Sequence, residues 1–113
     1  MAWPELLFFM VFLHYLGDFG LQTAHIAHGK NRIKPLEGCH WFHPMMAHCT
    51  IHGGFVYFAT GSLILGLLET AVHFLIDDSK CNGRFGEHVD QALHIACKVL
   101  WLVIFFNFPE FVP

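Results

Sequence analysis

Charge is scarce in this chain. Asp, Glu, Lys and Arg together make up 13% of its 113 residues, against about 25% in a typical soluble domain. Basic residues are scarcer still: six Lys and Arg stand against nine Asp and Glu, so there is no electrostatic footprint for a nucleic-acid backbone. The four Cys (39, 49, 81 and 97) are scattered with no C-x-x-C pair, which argues against a disulfide framework. No Gly-rich phosphate loop and no Ser-His-Asp arrangement stands out. The opening Met-Ala-Trp-Pro-Glu lacks a basic stretch, and no small-residue cleavage site follows the apolar run. The first hydrophobic segment is therefore expected to stay in the mature protein.

What is abundant is apolar. Hydrophobic residues reach 55%, with 13 Phe, and the mean hydropathy is +0.49. Such a composition excludes disorder and points to a small integral membrane protein of one domain, residues 1–113. The unusual number is ten His in so apolar a chain.

Four apolar segments emerge, and they predict an all-α, antiparallel four-helix transmembrane bundle with helices near 3–21, 44–59, 62–79 and 85–108. Pro4 suits a first helical turn. No Asp, Glu, Lys or Arg occurs between Gly38 and Leu68. That is too long for one span of about 20 residues, and Ala59-Thr60-Gly61-Ser62 is the natural turn within it. The spans are short, so local bilayer thinning is expected. Thr23 to His43 and Ser79 to Arg84 read as polar loops. They carry Lys30, Arg32, Lys34, Lys80 and Arg84, which places both loops in the cytoplasm and both termini outward, in a bacterial inner membrane.

Each predicted helix carries two potential metal ligands four residues apart: His14 and Asp18, His48 and His52, His73 and Asp77, Asp90 and His94. Residues at i and i+4 share a helix face, so each helix can offer two ligands to a common centre, as facing helices do in di-metal bundles. The pairs lie late in helices 1 and 3 and early in helices 2 and 4. An up-down-up-down course therefore brings all four to one membrane face. Ionisable groups inside a span cost about 2.5–3.5 kcal/mol each on insertion scales, and eight at one depth suggest a shared purpose. The plainer reading of any single pair is an interhelical hydrogen bond.

Five His and three Asp exceed the needs of one four-coordinate ion. Two divalent cations, three aspartates and a bridging hydroxide make a neutral cluster suited to a low dielectric. The donor set fits zinc first, with manganese or iron as alternatives. Such a pair of ions would acidify a bound water and clamp the oxygens of an ester or phosphoester. Asp18, Asp77 and Asp90 are the candidates for moving a proton during catalysis, and Glu87 at the mouth is a further candidate base. Glu69 and Lys98 continue two of the stripes one turn further out and are expected to form a buried ion pair, against the alternative that Lys98 snorkels. Gln22 and Gln91 flank the ligand pairs as candidate orienting donors or interfacial glutamines. Lys30, Lys80 and Arg84 rim the expected mouth, where they would meet an anionic head group, a phosphate or anionic lipid. Cys39, His40 and His43 lack a fourth ligand, and His25, His28 and His88 read as loop histidines.

The motif His14-Tyr-Leu-Gly-Asp18-Phe-Gly-Leu-Gln22-Thr23 resembles the H-x-x-x-D-F-x-L-Q-T opening of the domain of unknown function 3307 family. His48-Cys-Thr-Ile-His52-Gly53, His73-Phe-Leu-Ile-Asp77 with Lys80, and Asp90-Gln91-Ala-Leu-His94 resemble its later elements, in order. The resemblance implies a small bacterial or phage membrane protein, similar in style to membrane-bound metal-dependent hydrolases, and implies no substrate. The expected function is a membrane-embedded di-metal hydrolase, its bond a phosphoester of a phosphorylated lipid or small molecule. The alternatives are a divalent-metal transport or sensing protein and a non-enzymatic, metal-stabilised membrane component. A homodimer is compatible with the size, although no small-x-x-x-small seam stands out.

Overall fold

A computed structural model describes residues 1–111. Among them there are five α-helices and no strand, so the all-helical class expected from the sequence holds. The helices are α1 (Trp3–Tyr15), α2 (Ala24–Gly29), α3 (Phe42–Thr60), α4 (Leu63–Cys81) and α5 (Glu87–Asn107). The four long ones close a ring: α1 packs on α3 and α5, and α4 packs on the same two.

Local chemistry sets the boundaries. Pro4 and Glu5 occupy the first turn of α1, where a missing N–H costs nothing and a carboxylate meets the positive end of the helix dipole. The helix then widens into a π-helical turn over Leu16–Gly20, closed by Leu21 N donating to Leu16 O at 2.7 Å. Such insertions re-aim side chains and gather at functional sites; this one carries Asp18. Gly17 sits within it because a Cβ there would lie 2.7 Å from the His52 ring. Gly61 ends α3 at φ 73°, a left-handed position that glycine takes without strain. Ser62 then caps α4 by accepting Leu65 N at 3.2 Å.

One element was not anticipated. The stretch expected as loop contains α2, started by Thr23 Oγ1, which accepts Ile26 N at 3.2 Å. This short helix packs on α3.

The interior is divided along its length. At one end Leu6, Met10, Val56, Leu65, Trp101 and Leu102 form an apolar cluster. At the other, buried His, Asp, Glu and Lys side chains dominate, with Met45 and Cys49 packed beside them. The exterior is apolar, with Phe8 and Phe58 about three-quarters exposed, at 73% and 76%. Among the described residues α5 is the one helix long and apolar enough to cross a membrane.

Candidate metal centre

The π-helical turn of α1 and the facing ends of α3, α4 and α5 bring their acids and imidazoles into one buried cluster. Asp18 Oδ1 is the hub on one side. It lies 2.9 Å from His52 Nε2, 3.1 Å from His48 Nε2 and 3.5 Å from His73 Nε2. Asp77 is the hub on the other. Its Oδ1 is 2.9 Å from His94 Nε2, and its Oδ2 is 3.2 Å from His48 Nε2. Asp90 Oδ1 is 3.4 Å from His94 Nε2. Three overlapping groups of ligand atoms result: Asp18, His48, His52 and His73; His73, Asp77 and His94; Asp18, Asp90 and His94. All these side chains are buried.

His14 stands at the edge. It is buried, but its Nε2 donates to Gln91 Oε1 at 2.9 Å, and it joins none of the three groups. Gln91 bridges the centre: its amide donates to Asp18 Oδ2 at 2.8 Å and to Asp90 Oδ2 at 3.1 Å. Gln22 acts differently, donating to the Asp18 backbone carbonyl at 2.8 Å and so bracing the π-helical turn.

Below the ligands lies the Glu69–Lys98 pair. Lys98 Nζ donates to Glu69 Oε1, and Trp101 Nε1 donates to Glu69 Oε2 at 2.8 Å. His73 Nδ1 is 3.4 Å from Glu69 Oε1, which turns its Nε2 toward the cluster. A carboxylate behind an imidazole fixes both its tautomer and its orientation as a ligand.

The rim residues part company. Arg84 and Glu87 are exposed. Lys80 is half-exposed and reaches only to 3.8 Å from Asp90 Oδ2. Lys30 is instead buried, with Nζ donating to Asp77 Oδ2 at 2.8 Å. Burial alone would lower the pKa of its ammonium, but the Asp77 carboxylate more than offsets this and holds it above the ordinary lysine range. Lys30, expected at a solvated mouth, is thus drawn inside, because the Thr23 cap starts a helix that folds the segment back onto α3. Away from this cluster, His40 Nδ1 accepts Phe42 N at 3.2 Å in an exposed loop, and neither it nor Cys39 nor His43 joins a ligand group. His25, His28 and His88 are exposed.

The residues present fit a metal. Asp18 Oδ1 and His52 Nε2 are buried and 2.9 Å apart, yet neither makes a hydrogen bond. Each unmade bond to a buried polar group costs about 1–3 kcal/mol. Two lone-pair-bearing atoms converging without a proton aligned between them form a geometry that a cation satisfies. Buried imidazole and carboxylate together are the donors that divalent transition metals take.

The fold and the cluster thus define a class: an all-helical protein with buried His/Asp groups able to hold a metal ion. The chain belongs to the DUF3307 family, described as a protein of unknown function, whose model matches residues 6–111. No curated protein and no solved structure matches it.

Proposed function

We propose that this protein is a membrane-embedded di-metal hydrolase of phosphoesters, with its centre at the cytoplasmic leaflet. The observation that carries the reading is the gathering of acid and imidazole atoms from four helices into one buried cluster of overlapping groups, with Asp18 Oδ1 and His52 Nε2 left without hydrogen bonds. Asp18, His48, His52, His73, Asp77, Asp90 and His94 would hold two ions, with His14 beside them; zinc suits the donor set best, and manganese or iron also fits. When bound, the ions supply Lewis-acid polarisation and a water acidified toward neutrality.

The chain's own residues do the rest. Gln91 holds Asp18 and Asp90 at a fixed separation, and Glu69 fixes the ring of His73. A carboxylate among Asp18, Asp77 and Asp90 takes the proton released when water attacks. The apolar cluster behind Trp101 keeps bulk water from entering from the far end.

Membrane embedding is supported by the inverted distribution of polarity. Intramembrane ionisable residues face the bundle interior, as they do here, while apolar side chains face out. The 19-residue helices α3 and α4 match a locally thinned bilayer. The basic residues of the two loops at the ligand end favour the cytoplasmic side.

The test is direct. The protein is purified without added metal, its bound metal is measured, and the measurement is repeated with His52→Ala and Asp77→Asn. About two ions per chain, lost in both variants, together with metal-dependent cleavage of a generic phosphoester, is the expected result. Metal flux into liposomes without hydrolysis would contradict the proposal.

A further inference from the structure

Two adjacent glycines of α3 stand in opposite surroundings. A Cβ at Gly53 would collide with Thr70 Oγ1, so close packing on α4 demands a glycine there. A Cβ at Gly54 would meet nothing within 4 Å. A glycine inside a helix destabilises it relative to alanine, and no packing contact of Gly54 explains it. What the missing side chain leaves open is a groove of about 530 Å³ on the outer surface between α1 and α3. Leu13 and Leu21 line it from the α1 side, and Thr50, Gly54, Phe55 and Phe58 from α3.

The groove starts at the depth of the donors and runs toward the apolar end. Thr50 lies between His48 and His52 in α3. Phe58, in ring contact with Phe9 at 6.1 Å, closes the other end. At about 1.5 Å of rise per residue the two are about 12 Å apart, and a lipid chain descends about 15 Å from the interface to the bilayer midplane. The groove also adjoins the centre. Leu13 and Phe55 line a second, enclosed gap that reaches His14, His52 and Lys98. His14 and His52 are buried, and His14 Nδ1 and His52 Nε2 make no hydrogen bond. A furrow of about 440 Å³ between α3 and α4, lined by Met46, Ala71 and Phe74 among others, shares no residue with that gap. Phe58 is 76% exposed. So bulky a flank holds a second helix away from Gly54, where helix pairs need close backbone approach, whereas a flexible hydrocarbon chain fits beside it.

We infer that the groove between α1 and α3 binds one acyl chain of a membrane lipid with a phosphoester head group, which enters sideways from the bilayer and presents that head group to the centre past Leu13 and Phe55. This rests on the membrane-embedded hydrolase reading above and narrows its substrate class from phosphoesters in general to lipids.

The test uses the whole protein in phosphatidylcholine nanodiscs doped with a phosphatidylglycerol whose acyl chain carries a photoreactive diazirine. After irradiation, peptide mapping locates the label and mass analysis counts it. The label is expected to concentrate on Leu21 and residues 50–58, and to saturate at one lipid per chain as the dose rises. Gly54→Leu fills the groove from a position where a Cβ meets no neighbour. It should abolish this labelling while helix content and bound metal are kept. Ala71→Leu fills the furrow between α3 and α4 instead and should leave the labelling unchanged. The map of the unaltered protein is a readout that does not depend on how any variant folds. Label spread evenly over the outward faces, label that never saturates, or label undiminished in Gly54→Leu would overturn the inference and leave the metal centre standing. A second chain seated on Gly54, seen as an unlabelled groove and a doubled mass in each nanodisc, would overturn it too. Localised, saturable labelling of a chain that holds no metal and cleaves no phosphoester would defeat the hydrolase reading and leave the groove a lipid site.

Discussion

The two ends of the helix ring are built on the same stripes and filled with opposite chemistry. On α1 the inward stripe runs Leu6, Met10, His14, Asp18; on α4 it runs Leu65, Glu69, His73, Asp77. On α3 it runs from His48 and His52 to Val56, and on α5 from Asp90 and His94 through Lys98 to Leu102. Four-residue spacing keeps each stripe on one face, so the interior passes from hydrocarbon to acids and imidazoles without any helix turning over. Which face is buried is therefore set by spacing and close packing, because the outward faces are as apolar as the far end of the interior. The changeover falls at the layer of Glu69, Lys98 and Trp101, whose hydrogen bonds close off the donors from the hydrocarbon.

Breaking the donor end should have the largest effect. Asp18→Asn removes the negative charge from the side chain that three histidines approach. Metal affinity should fall by more than the roughly 10–100-fold that loss of an outer partner costs, as read by competition with a chelator. Gln91→Leu unties Asp18 from Asp90 and should fall within that range of about 10–100-fold.

The boundary layer comes next. Lys98→Met leaves Glu69 a buried, unpaired charge and should cost about 3–5 kcal/mol of stability, measured by thermal unfolding in detergent. Adding Glu69→Gln to it should recover part of the loss. Unchanged stability in the single variant would show that the two ends are not separated by this pair.

Gly53→Ala tests the packing that the two ends share. A Cβ at Gly53 would meet Thr70 Oγ1 at 1.8 Å and the Gly66 carbonyl at 2.7 Å, so α3 and α4 must part. About 1–3 kcal/mol of destabilisation is expected, with metal affinity reduced as His52 and His73 separate. The smallest effect belongs to the rim: Lys80→Ala, at 3.8 Å from Asp90 and half-exposed, should change stability by no more than about 1 kcal/mol.

Much of this was legible in the sequence because ligand pairs at i and i+4 fall at matching ends of successive apolar segments. The turn at Gly61-Ser62 and the Glu69–Lys98 pair followed from the same spacing. Four things did not. The π-helical turn shifts Asp18 by changing local helical pitch, which residue spacing alone does not reveal. The helix α2 is only six residues long, below the length at which periodicity is readable. The burial of Lys30 depends on that helix, and a lysine in a polar loop ordinarily stays solvated. His14 looked equivalent to the other histidines by spacing, but its Nε2 is turned to Gln91.

Whether acid and imidazole groups from four helices come together to hold divalent ions is decided by elemental analysis of the protein purified in detergent without added metal, before and after dialysis against a chelator. About two transition-metal ions per chain are expected, with thermal stability falling as they are withdrawn. A folded preparation free of such ions, taking none up when offered zinc or manganese and unmoved by the chelator, would contradict that expectation.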